Sequence, residues 1–219
     1  MTGHLLDVVT AAVLLVMGFR LATGVRRARS RSGRALVRSI VTGIGWRHLW
    51  PVPWVLGGVL VVASLALQVP GLDWGWWSAV GGSGNPVFGS SDRTAGTVWE
   101  WLVPLVFVVM LIPALPLFAY AEERAFRCGA EAWGRRRRVA KVVQFGLVHA
   151  VIGIPIGVAA ALSVGGAYFM AVYLRAYRRH DDADVATLES TRAHTAYNAC
   201  IIAVVLVAVG VSVVTSSLT

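Results

Sequence analysis

The chain has 219 residues, 57% hydrophobic and only 14% charged, with a mean hydropathy of +0.68. Apolar runs at that density exclude an ordinary soluble domain. The formal net charge of +9 does not point to nucleic acid, because the Arg residues cluster between apolar runs, the positive-inside pattern of a membrane protein.

The first predicted span covers residues 5–25. No basic segment precedes it and no cleavage site follows it, so it is expected to be retained. Arg26, Arg27, Arg29, Arg31, Arg34, Arg38 and Arg47 follow. This Arg-rich loop, residues 26–47, is expected in the cytoplasm, with the N-terminus outside. Its basic side chains can touch the anionic headgroups of the lipid bilayer. A short interfacial helix is expected over residues 39–46. A second span covers residues 50–69, with Pro51 and Pro53 in its first turn, where a missing donor costs little.

Residues 70–97 form a Gly- and Ser-rich loop whose one basic residue is Arg93, which predicts an outside location. Gly81-Gly82-Ser83-Gly84 is not a phosphate loop, since no Lys-Ser/Thr follows it. Trp74, Trp76, Trp77, Trp99 and Trp101 read as an outer aromatic belt, and Trp46, Trp50 and Trp54 as an inner one.

A third span, residues 98–120, contains Pro113 and Pro116, either of which can kink it, and ends at Glu122-Glu123. The basic run 124–141 follows, again cytoplasmic. Residues 139–173 are apolar with basic residues at both ends. As one helix they would extend about 52 Å, too long for a core of about 30 Å. The stretch is expected to turn back near Gly153-Ile154-Pro155, or at Gly165-Gly166, giving a short fourth and a longer fifth span. An acidic loop, residues 180–190, precedes a sixth span, residues 191–214, capped by Ser190 or Thr191. Cys128 and Cys200 lie far apart without metal spacing and are expected as free thiols.

Three polar pairs interrupt the apolar pattern: Glu123 with Arg127, Phe145 with His149, and His194 with Asn198. Each is spaced i,i+4, hence on one helix face. Glu122 is rotated by about 100° from Glu123, so one carboxylate can pair with Arg127 while the other faces elsewhere. The structural reading is an interfacial ion pair plus two packed histidines. Against it stands the topology: the charge rule puts Glu122, His149, His194 and Asn198 in one half of the bundle, where they can converge on a water-filled cavity.

Glu122-Glu123-x-x-x-Arg127, Phe145-x-x-x-His149 and His194-x-x-x-Asn198 resemble, in order, the three motifs of the CPBP family, intramembrane proteases related to type II CAAX prenyl endopeptidases and also called Abi proteins. The resemblance covers residues 99–214. It departs at the linker before the third motif, where members often have a Gly-Ser-Leu-Trp-like turn and this chain has Asp181-Asp182-Ala183-Asp184. The resemblance implies that Glu122, aided by His149, activates water, and that His194 and Asn198 stabilise the oxyanion. Glu123 and Arg127 would lock the helix end and orient Glu122, and Phe145 would line the cavity. No cofactor is expected. On an older metalloprotease view Glu122, His149 and His194 would hold zinc, but Asn is a poor zinc ligand and no His-Glu-x-x-His motif is present.

The expectation is therefore an all-α transmembrane bundle of about six spans, a single integral membrane domain over residues 1–219, multi-pass in the plasma membrane. It would be a glutamate-type endopeptidase with its site facing the cytoplasm. Its substrate would be a membrane-embedded or lipid-modified peptide. The alternative is a non-catalytic membrane scaffold or bacteriocin-immunity-type protein that binds a membrane partner. A proton-coupled transporter is a further rival, although no inverted repeat is visible.

Overall fold

The computed structural model describes the backbone of residues 2–79, 97 and 99–218, with side chains described over 7–78, 97, 102 and 105–207. Every regular element among them is helical: α1 Thr2–Arg29, α2 Arg31–Thr42, α3 Trp46–Leu49, α4 Val52–Ala66, α5 Trp76–Ala79, α6 Trp99–Phe126, α7 Arg135–Leu147, α8 Ile156–Ala161, α9 Ser163–His180 and α10 Ala183–Leu218. Short 3-10 turns cover Ala130–Ala132 and Val148–Ile152. The expectations for Gly81-Gly82-Ser83-Gly84 and Arg93, and for the side chains of Trp99 and Trp101, lie outside the described residues.

Four stretches are long and apolar enough to cross a membrane: Asp7–Arg29, Trp46–Ala66, Leu105–Ala132 and Ile156–His180. The expected number was six. The 13-residue α7 opens on four consecutive Arg. Its apolar part plus the following 3-10 turn is too short to cross about 30 Å as a regular helix. The 36-residue α10 has the length, and its apolar part runs on past the described side chains.

The turn-back in residues 139–173 falls at the first expected place. Gly153 adopts φ +91°, a left-handed conformation that glycine enters without penalty, and Pro155 caps α8. Gly165 and Gly166 lie instead inside α9, where Gly166 is packed within reach of Phe145 and Val142. Pro113 and Pro116 do not interrupt α6.

Two helix boundaries and one tryptophan differ from expectation. The short helix over 39–46 is α2, eight residues earlier in its start. Ser30 accepts a hydrogen bond from the Gly33 amide at its N-terminus, and the strongly amphipathic sequence continues from there. Residues 183–190 are not a loop but the first turns of α10. Asp182 accepts from the amides of Asp184 and Val185, so Asp182 rather than Ser190 or Thr191 caps this helix. Trp77 is buried and meets Trp76 edge-on at 6.2 Å, so it is a packed residue rather than part of a belt. Trp46, Trp50 and Trp54 are exposed, as an interfacial belt requires.

Long-range hydrogen bonds bring the basic segments to one end of the bundle. Arg47 and Arg192 both bind Glu189, and Arg192 also reaches the Ser39 carbonyl at 3.0 Å. On the same side Tyr173 bonds Glu131 at 2.7 Å. At the opposite end, the Ile156 and Gly157 amides donate to the carbonyls of Trp74 and Leu72. The core between them contains Val52, Phe145, Phe169, Ala193 and Tyr197, contributed by α4, α7, α9 and α10. α10 packs on both α9 and α6, which sets the third polar pair against the first.

Candidate functional site

The last turn of α6 carries Glu122 and Glu123 on different faces, and burial separates them. Glu123 is fully buried, whereas the side chain of Glu122 is 37% exposed. Arg127, one turn on and also fully buried, donates Nη1 to Glu123 Oε1 at 2.9 Å. Its guanidinium lies 4.1 Å above the Phe145 ring centroid and reaches the Gly166 carbonyl through Nη2 at 3.4 Å. A desolvated charge needs this kind of enclosure, since an opposite charge, a carbonyl and an aromatic face together replace the lost water.

α10 supplies the other side. His194 Nδ1 lies 2.9 Å from Glu123 Oε1, and Ser190 donates its hydroxyl to Glu123 Oε2. The Ser190 oxygen also lies 2.9 Å from the Phe169 carbonyl, so one hydroxyl proton is shared between two acceptors. Glu123 is thus the hub of the site. It accepts from α6 through Arg127 and from α10 through Ser190 and His194. The acceptor role of Glu123 fixes the His194 proton on Nδ1 and turns Nε2 towards Glu122 Oε2, at 3.7 Å. Phe169 stacks on the imidazole at 4.3 Å and holds its plane.

His149 sits in the 3-10 turn after α7, half-buried. Its Nδ1 donates to the Phe145 carbonyl at 2.8 Å, and Nε2 forms no hydrogen bond among the described residues. The Phe145 ring meets His149 at 5.2 Å and His194 at 5.5 Å. Both histidines therefore border the same aromatic ring. The direct neighbour of Glu122 is nonetheless His194, and no contact joins Glu122 to His149 among the described residues. Asn198 follows His194 by one turn of α10 and is half-buried. Phe145 itself is 3% exposed and packs on Phe126, Phe169 and Arg127. It is a core platform, not the wall of an open cavity.

Two participants escaped the sequence reading. Ser190 looked like a helix cap because its bond to Glu123 crosses 67 positions of sequence. Phe169 has no polar signal at all. The buried Tyr197 hydroxyl, one residue before Asn198, takes no hydrogen-bond partner among the described residues.

A zinc site would need three convergent donors. Glu123 and His194 Nδ1 already satisfy each other, His149 stands beyond Phe145, and no three His, Cys, Asp or Glu groups converge on one point among the described residues. Cys128 and Cys200 are unpaired.

Among the described residues the fold is all-helical, with four helices long and apolar enough to cross a membrane, and its site is a buried carboxylate–guanidinium pair orienting a histidine beside a second, accessible carboxylate. Compared with protein-family models, with curated proteins and with solved structures, the chain has no match.

Proposed function

We propose that this protein is an intramembrane glutamate-type endopeptidase related to the CPBP family. One observation carries the proposal: Glu123 is fully committed to Arg127, Ser190 and His194, while Glu122 is accessible and faces His194 Nε2. Adjacent carboxylates in such different surroundings can divide orientation and proton transfer between them.

In this reading Glu122 takes a proton from water as the hydroxide oxygen attacks the scissile carbonyl carbon. It then delivers that proton to the departing amide nitrogen. His149 assists through its free Nε2, after water has filled the distance to Glu122. His194, when doubly protonated, donates Nδ1–H to Glu123 and Nε2–H to the oxyanion, between two counter-charges. Asn198, on the same face of α10, adds a second donor to the oxyanion. No step uses a metal.

The substrate is a membrane-embedded or lipid-modified peptide cut near the basic end of the bundle. By the positive-inside rule that end faces the cytoplasm, and the proposed residence is the plasma membrane. The decisive experiment is incubation of the purified protein with a library of membrane-anchored peptides, followed by mass spectrometry, beside a Glu122→Gln control. Cleavage by the wild type and not by the control is expected. Equal cleavage by both, or none by the wild type, overturns the proposal.

A second reading, a non-catalytic scaffold binding a membrane partner, is favoured by one observation. The pocket of about 590 Å³ at the basic end is lined by neither Glu122, His149, His194 nor Asn198. On that reading partner capture survives Glu122→Gln unchanged.

A further inference from the structure

That pocket lies between the start of the α3–α4 unit, the last turns of α9 and the first turns of α10. Its volume, about 590 Å³, falls within the range of roughly 300–1,000 Å³ typical of ligand sites. Its walls and its rim differ in chemistry. Trp50, Trp54, Val55, Tyr168 and Val172 make the walls apolar. Arg47, Arg175, Arg179 and His180 stand on the rim.

The α9 side follows one helix face. Tyr168, Val172, Arg175 and Arg179 are spaced i, i+4, i+7 and i+11, so apolar contact passes into positive charge over about 16 Å of axis. Arg175 and Arg179 are exposed, and neither has an acidic partner among the described residues. The carboxylate that does line the pocket, Glu189, does not cancel them. It is bound by Arg47, His48 and Arg192. His48 accepts the Gly45 amide on Nδ1 at 3.0 Å, so its Nε2 carries the proton that goes to Glu189. Glu189 therefore holds Arg47 over the pocket mouth and leaves the two α9 guanidiniums free. Trp46, Trp50 and Trp54 are exposed beside it, at the level where interfacial tryptophans sit.

We propose that this pocket is a binding site for an anionic phospholipid, its phosphate held by Arg175 and Arg179 and an acyl chain laid along Trp54, Val55 and Val172. Free phosphate shares the headgroup chemistry but cannot use the apolar walls. Basic pockets between membrane helices suit such headgroups, and paired guanidiniums suit phosphate oxygens. The site is separate from Glu122 and does not depend on the peptidase reading.

The test is lipid titration of the full-length protein in detergent, read by thermal shift and by native mass spectrometry, with phosphatidylglycerol, phosphatidylcholine and soluble glycerol phosphate. Phosphatidylglycerol is expected to raise the melting temperature saturably, whereas the other two do so weakly or not at all. Arg175→Gln with Arg179→Gln should weaken its apparent affinity about tenfold or more. Arg135→Gln with Arg136→Gln, the same charge change on an exposed segment outside the pocket, should leave it within about twofold. Equal losses in both double variants, equal binding of phosphatidylcholine, or equal binding of glycerol phosphate overturns the proposal. Should the α9 variant not fold, a photoactivatable phosphatidylglycerol on the wild type decides. Labelling of α4 and α9 peptides around Trp54 and Val172 supports the site, and labelling confined elsewhere overturns it.

Discussion

His194 stands between two glutamates that are neighbours in sequence, with Nδ1 2.9 Å from Glu123 Oε1 and Nε2 3.7 Å from Glu122 Oε2. Glu123 is sealed from solvent and Glu122 is not. The two carboxylates therefore respond differently to replacement.

Glu122→Gln keeps the shape of a half-exposed side chain and leaves no buried charge unpaired. Its stability should stay within about 0.5 kcal/mol of wild type. Peptide hydrolysis should fall by roughly 10²–10⁴-fold, the range for a positioned acid–base group. Initial rates on a cleaved peptide, beside thermal melts, check both parts. Near-full activity in Glu122→Gln together with a stable but inert Glu123→Gln would reverse the two roles.

Arg127→Ala leaves Glu123 buried without its counter-ion and removes the guanidinium from the Phe145 face. A loss of about 3–5 kcal/mol is expected, enough to lower the melting temperature sharply or prevent folding. Ser190→Ala removes one neutral donor and should cost about 1–3 kcal/mol. A Ser190→Ala melt indistinguishable from wild type would mean that the α6–α10 link does not depend on this hydroxyl.

Gly146→Ala tests the close approach of α7 to the α8–α9 segment. A Cβ there would lie 2.5 Å from the Ala159 carbonyl oxygen and 2.8 Å from the Ser163 amide nitrogen. Backbone atoms cannot swing aside, so the helices must separate, at a cost of about 1–3 kcal/mol. Gly134→Ala, with nothing within 4 Å of the added carbon, is the control and should be tolerated.

Acid should weaken the junction of α3 with α10 through Glu189. Burial pushes the Glu189 carboxyl up, but hydrogen bonds from Arg192 and His48 and the Arg47 charge outweigh it and hold the group below its ordinary 4.5. A lowered folded-state value means that the contribution is complete above about the unfolded value and is lost as pH falls through the folded one. Glu189→Gln should flatten the fall in stability on the acid side of pH 4.5, measured by melts across pH. An unchanged acid profile in this variant would show that another group controls it.

Peptidase activity should survive exhaustive chelation, because the arrangement offers no three converging ligands among the described residues. Stoichiometric zinc in active protein, with activity lost to chelator and restored by metal, would assign the site to metal chemistry instead.

Much of this was legible from residue order alone. Apolar runs between arginine clusters define membrane-length helices, because hydrocarbon accepts only backbone bonded within its own segment. Gly153 with Pro155 marks the turn-back, because one residue favours the left-handed region and the other cannot continue a helix. The i,i+4 pairing of Glu123 with Arg127 is local geometry, so its register was visible before any fold. Contacts between distant helices were not. Only the packing of α10 against α6 puts Ser190 and His194 on Glu123 and makes His194 rather than His149 the neighbour of Glu122, and only the packing of α7 on α9 and α6 buries Phe145 as a platform. The pocket beneath Arg175 and Arg179 is equally a product of assembly, since its walls come from helices more than a hundred residues apart. Local periodicity fixes which face a side chain occupies on its own helix, while its partner is decided by which helix packs there, through burial energies that no short window of sequence contains.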